Sequence, residues 1–254
     1  TALSAEVMTN WMPRVLGSMM LRPGLGFLGD SKSDSKAFHI PFVFSLSDKA
    51  LIELTNLVMR VWVNDALITR VSVGTAVTNG TFAANINNWT DNDEAGGVSV
   101  WAAPNYMSLS GNGTAAAIRD QQVTVAGADQ NVEHALRIVI ARGPVTLRVG
   151  SALGGDQYIT ETSLDTGTHS LAFTPTGDFF IRFLNRRIPV SYVSNCTVEA
   201  AGVMELPSPW SEADMKLIRY DQSGDIVFCS SAKTTDTIGY QQRTIERRAT
   251  RSWF

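Results

Sequence analysis

A chain of 254 residues with a net charge of −3 and 18% charged residues has room for one large or two modest domains with real cores. The slightly acidic balance argues against a free-standing nucleic-acid binder, and no window approaches the ~20 consecutive apolar residues that cross a bilayer, so no membrane insertion is expected. Gly, Ser, Thr, Asn and Val crowd into short alternating runs, the pattern of an all-β protein.

Ala2 to Met20 has the best helical spacing, with Val7, Trp11, Val15 and Leu16 roughly on one face and Pro13 interrupting them. It predicts a short N-terminal helix or an arm. Gly24, Gly26 and Gly29 form a nominal GxGxxG. A dinucleotide-binding turn needs a strand before and a helix after, whereas Pro23 precedes these glycines and the polar run DSKSDSK follows. From His39 the pattern changes to strands: HIPFVFSL, ALIELT, VMRVWV, a turn at Asn64 and Asp65, then ALITRVSV. Met59, Val61 and Val63 alternate with Arg60, Trp62 and Asn64, as in an antiparallel meander with one buried face.

After Gly80 short strands follow at close intervals, from FAANI to IPVSYVSNCTVEA, the signature of an antiparallel β-sandwich or jelly roll. Leu136, Ile138 and Ile140 should point one way and Arg137, Val139 and Ala141 the other. HALRIVIARGPVTLRVGS and HSLAFTPTGDFFIRF read as hairpins. LPSPW then marks an extended join, SEADM a capped turn with Ser211 and Asp214 at its start, and KLIRYDQSGDIVFCSS a hairpin turning at Ser223 and Gly224. Between Thr81 and Ala200 stand eleven acidic and seven basic residues, all seven of them Arg, and no lysine lies between Lys49 and Lys216. This shift marks the middle as a separate module.

The residue inventory predicts no enzyme. His39, His134 and His169 lie in strand-like runs without HExxH, GxSxG or a Cys–His pairing, and structural histidines are expected. Cys196 and Cys229 lack metal-ligand spacing and read as two buried free thiols. The loop with Asp91, Asp93 and Glu94 offers paired carboxylates to glycoside chemistry, or, through Asp91 and Asp93, oxygen ligands to a structural calcium, although the EF-hand pattern is incomplete. Trp89, Trp101, Tyr106 and Tyr158 are candidates for stacking on a glycan, with Asn87, Asn88 and Asp91 nearby; core or interface packing is the alternative for each. Arg243, Arg247, Arg248 and Arg251 form the basic cluster, suited to a subunit contact, a solvated strand face or sequence-independent phosphate contact.

LRPGLGFLG, followed by HIPFVFS and by LIELTNLVMRVWVNDALI, resembles the opening of the tail-nozzle (tail tubular protein B-like) proteins of short-tailed bacteriophages. The later run resembles that family again: a proline-rich LPSPW, the QSGDI hairpin, and an arginine-rich strand in QQRTIERRATRSWF that reaches Ser-Trp. NNWTDNDEAGG with YMSLSGNG resembles the carbohydrate-binding-module-like jelly-roll inserts of some nozzle proteins, which often hold calcium. The resemblance implies a discontinuous β-meander platform, partly propeller- or barrel-like, over residues 1–80 and 201–254, with a β-sandwich inserted at 81–200. It further implies a structural virion protein of the phage tail, with other copies of itself in a ring, by resemblance a hexamer, that conducts DNA and touches it only transiently and without sequence preference. Tail adaptor and fibre proteins would be partners, and the sandwich would serve fibre docking or contact with host-surface glycan. A non-catalytic glycan-binding module and a fragment of a polysaccharide-degrading tailspike are the rival readings. The chain begins without Met and stops within a strand-like pattern, as expected of a piece of something longer or of a processed chain.

Overall fold

The structure, a computed structural model, describes residues 11–13, 19–21, 26–235 and 239–254. Contacts divide the chain into Thr1–Asp30 and Ser31–Phe254. In the first unit, β1 (Trp11–Pro13) pairs antiparallel with β2 (Met19–Leu21), Met12 opposite Met20. The predicted helix is therefore replaced by strands at these positions. Pro13 supplies no amide hydrogen and disfavours helical geometry at Met12, which outweighs the apolar spacing. Residues 2–10 of that prediction, and Gly24 of the glycine run, lie outside the described residues.

The second unit is all-β; its helical segments, among the described residues, are single 3₁₀ turns at Lys32–Asp34, Gly127–Asp129 and Met215–Leu217. The meander comprises β3 (Phe38–Val43), β4 (Lys49–Thr55), β5 (Val58–Val63) and β6 (Ala66–Leu67). Asn64 and Asp65 connect the last two strands with φ of 51° and 63°, the left-handed pair a two-residue hairpin turn demands. Then β7 (Thr69–Arg70) leads away.

The strands that follow are β8 (Thr90–Asp91), β9 (Val98–Ala102), β10 (Tyr106–Ser110), β11 (Ala117–Val123) and β12 (His134–Arg142). They continue as β13 (Val145–Gly150), β14 (Ile159–Leu164), β15 (Gly167–Phe173), β16 (Phe179–Asn185) and β17 (Ser191–Val198). The chain returns through β18 (Gly202–Val203) and β19 (Leu206–Pro207), and ends in β20 (Arg219–Ser223), β21 (Ile226–Ser230), β22 (Arg243–Ala249) and β23 (Ser252–Trp253).

Two cores result. One fills the space between sheet β14-β13-β16-β11-β8 and strands β15, β12, β17, β10 and β9, with Leu136, Ile138, Ile140, Leu147, Phe179, Ile181 and Phe183 at its centre. The other lies between sheet β19-β5-β4-β3 and strands β20 to β23, and joins Ile40, Phe42, Ile52 and Val61 to Trp210, Val227, Ile245 and Trp253. Among the described residues none of the sheets closes into a barrel. A nine-stranded sheet, β20-β21-β22-β23-β15-β12-β17-β10-β9, runs through both cores, joined where Trp253 pairs with Ser170.

Two predicted hairpins are corrected. β12 and β13 belong to opposite sheets, as do β15 and β16, so Gly143–Pro144 and the Thr-Gly-Asp turn carry the chain across the sandwich. Inward-facing residues alternate identically in a hairpin and in such an arch, and the pattern cannot separate them. By contrast the QSGDI hairpin forms as predicted, with its turn one residue later than expected, at Gly224 and Asp225, between the paired Ser223 and Ile226.

Candidate binding cleft

The acidic loop is an internal clasp. Asp93 Oδ2 accepts from Ser99 N at 2.7 Å and Ser99 Oγ at 2.8 Å, while Oδ1 accepts from Ile118 N at 2.5 Å. Asp91 accepts from Asp93 N and from Arg119, whose guanidinium also donates to Trp89 O and Ser99 O. Glu94 accepts from Ala116 N and from Arg186; the amide bond first, and the guanidinium after it, hold its carboxyl below the ordinary range against a raising effect of desolvation. Oxygens committed to N–H and O–H donors do not present a cation's ligand shell. Among the described residues no group of three His, Cys, Asp or Glu side chains converges as a metal site. Asp93 joins the edges of the two sandwich sheets, and Asp91 holds the Arg119 guanidinium beside it.

The four aromatic candidates do not form one platform. Trp89 is buried, packed on Phe82 and Phe183 at 5.7 and 5.6 Å, which removes it from any sugar-facing set. Trp101, 36% exposed, donates through Nε1 to Phe82 O at 2.7 Å; opposite buried Met107, it shares the inward parity of β9. Tyr106 takes the other face and stacks on Tyr192, 5.1 Å between centroids. Tyr158 lies ahead of β14 in the other sheet, half-buried, bonded to Thr176 Oγ1 at 3.0 Å and packed on Phe173.

Three of the four arginines are engaged within the chain. Arg247 pairs with Asp225 at 2.8 Å and with Asp48, and lies over the Phe44 ring. Arg248 reaches Thr162, Ser163 O and Glu246. Arg251 grips Glu133 through two bonds and reaches Thr69 O. These three guanidiniums tie β22 and β23 to the rest of their own chain. Arg243 is exposed and borders an apolar pocket of about 290 Å³ lined by Leu54, Met59, Trp210 and Phe254.

Three of the predicted residues nevertheless meet. Tyr158, Arg247 and Arg248 line one cleft of about 470 Å³ between β14, β15 and β22. Sequence reasoning missed its other polar walls, Thr160, Glu161, Thr162, Asp225 and Glu246, and its apolar floor of Leu171 and Ala172. Glu161 is held by Arg148 and Asp225 by Arg247. A register shift between Arg247 and Ala249 breaks the strand alternation, and both consecutive arginines line the cleft. Their Nε–H groups are buried without an acceptor. No short-range motif marks these residues because pairing of β15 with β23 brings the walls together.

Two of the three histidines, His134 and His169, are buried, whereas His39 is exposed, 3.9 Å from Glu53. His134 Nδ1 lies 2.9 Å from Val132 O, and His169 donates through Nε2 to Asp165 O at 2.8 Å. Both thiols are free and buried; burial raises the pKa of each, that of Cys229 to about 11. Compared with protein-family models, curated proteins and solved structures, the chain finds no match in any of the three.

Proposed function

We propose that the chain is a non-catalytic structural subunit of a phage tail, of the nozzle kind its flanking motifs resemble, which assembles with copies of itself into a DNA-conducting ring and carries the sandwich as a contact module. One observation carries this reading. The resembling motifs at the two ends of the chain fold into a single core: Phe42 of HIPFVFS meets Trp253 of RSWF edge to face at 5.3 Å. Next to that contact Val43, Phe44 and Leu46 are exposed, Leu46 by 93%, and apolar groups left in water beside a packed core are what a subunit contact covers. In this reading the arginines of β22 and β23 brace the subunit internally, and the assembly surface lies around the β3–β4 loop.

Light scattering over a range of protein concentrations tests it. Ring-sized particles that break down in Leu46→Asp support assembly through this surface; a monomer at every concentration counts against it.

The polar cleft favours a second reading, a glycan-binding module that acts within the tail. The tailspike alternative calls for a β-helix, whereas the strand pairs of the described residues are antiparallel apart from one isolated bridge, Ala95 with Gly97.

A further inference from the structure

The geometry points to the cleft between β14, β15 and β22 as a binding site for a short neutral oligosaccharide, an inference that rests on the glycan reading above. A sugar presents hydroxyls that both donate and accept around an apolar C–H face. The cleft answers each demand. Glu161, Asp225 and Glu246 supply acceptor oxygens, Arg247 and Arg248 supply donors, and the half-buried Tyr158 ring stands beside a floor of Leu171 and Ala172. The ion pairs of Arg247 with Asp225 and Asp48 and of Arg248 with Glu246 hold these side chains in place along the cleft wall. Three carboxylates against two guanidiniums leave the lining net negative, which disfavours uronic and sialic acids relative to neutral sugars. At about 470 Å³ the volume falls within the range of small-ligand pockets. The stacked Tyr106–Tyr192 pair stands on β10 and β17, toward the far end of the nine-stranded sheet and outside the cleft lining, and provides an internal control.

The test is calorimetric titration of the full chain with maltotriose, cellotriose and galactotriose, and with trigalacturonate as the anionic counterpart. Glu161→Gln and Tyr158→Ala are compared with Tyr106→Ala, and folding of each variant is checked by circular dichroism. The expected result is binding of at least one neutral trisaccharide, weakened at least tenfold in Glu161→Gln and in Tyr158→Ala, unchanged in Tyr106→Ala, and weaker still for trigalacturonate in the unsubstituted chain. Binding that survives both cleft variants but is lost in Tyr106→Ala overturns this location and leaves the glycan reading standing. Preference for trigalacturonate overturns the neutral specificity. No binding of any trisaccharide overturns the inference and the glycan reading together.

Discussion

Asp93 holds three donors on two oxygens, from Ser99 and Ile118, and so fastens β9 to β11 across the edge of the sandwich. Bonds to a charged acceptor contribute about 1.5–3 kcal/mol each and are not additive. Asp93→Ala should lower unfolding free energy by about 3 kcal/mol in urea titrations, and added calcium should leave the thermal midpoint of the unsubstituted chain unmoved; a clear rise with calcium would sink the clasp account.

His169 makes a second prediction at the same scale. Its ring is buried, stacks on Phe254 at 4.1 Å, and is held at a pKa of about 4, first by burial, with the Arg248 charge also lowering it and the bond to Asp165 O opposing. The folded imidazole thus stays neutral down to that pH, whereas the unfolded one protonates near its ordinary 6.5. Stability is lost as pH falls from 6.5 toward 4 and levels off below, by at most about 3 kcal/mol from this group. Asp214, held below the usual carboxylate range by Ser211, Tyr240 and Thr234, loses its contribution at lower pH. Urea midpoints at pH 7, 5.5 and 4.5 should therefore fall less steeply in His169→Gln than in the unsubstituted chain; parallel curves would refute the assignment.

Elements show which parts of the sequence were readable and why. The meander was legible because its turn chemistry is local: Asn64 and Asp65 both adopt positive φ, and that residue pair announces such a turn. Asp65→Gly should preserve the hairpin and gain about 0.5 kcal/mol, since glycine accepts positive φ without strain, while Asp65→Val should lose about 1 kcal/mol or more. Chemical denaturation of both variants gives the comparison. The arches at Gly143–Pro144 and around Gly177 were misread because alternation reports which face is buried and not which strand is the neighbour. The intrachain partners of the arginine run are not legible for a related reason: charge on a strand names no partner, and Asp48, Glu133 and Thr162 come from distant segments. The Tyr158 ring is visible in the sequence, yet the carboxylates that complete its cleft come from β14 and from the β20–β22 region, a juxtaposition set by topology alone.

At the scale of the whole molecule the question is whether two cores behave as two domains. The composition shift near Thr81 and Ala200 coincides with the narrow crossing of β7 and β18, where Arg70 pairs with Gly202. Two features oppose independence. The nine-stranded sheet passes from one core to the other through β23 and β15. Beside it, buried Arg70 bonds Glu199 at 2.7 Å, Ser170 at 2.7 Å, Glu133 at 3.2 Å and Arg251 O at 2.9 Å, with Arg137 Nε 2.8 Å from the other Glu199 oxygen. Breaking a buried pair by removing one partner costs about 3–5 kcal/mol because the other charge remains uncompensated. The continuous sheet predicts that both cores unfold together, so hydrogen exchange of β4 and of β16 should report the same opening free energy. Arg70→Met should lower both by a similar amount if the sheet alone keeps them coupled. If instead the ion network is the coupling, the variant should open β4 and β16 at separate free energies, and the denaturation curve should split into two steps. Equal protection lost in step, with one transition retained, assigns the joint to the Trp253–Ser170 backbone pairing. Two transitions already present in the unsubstituted chain would show that sheet continuity does not make these cores cooperative.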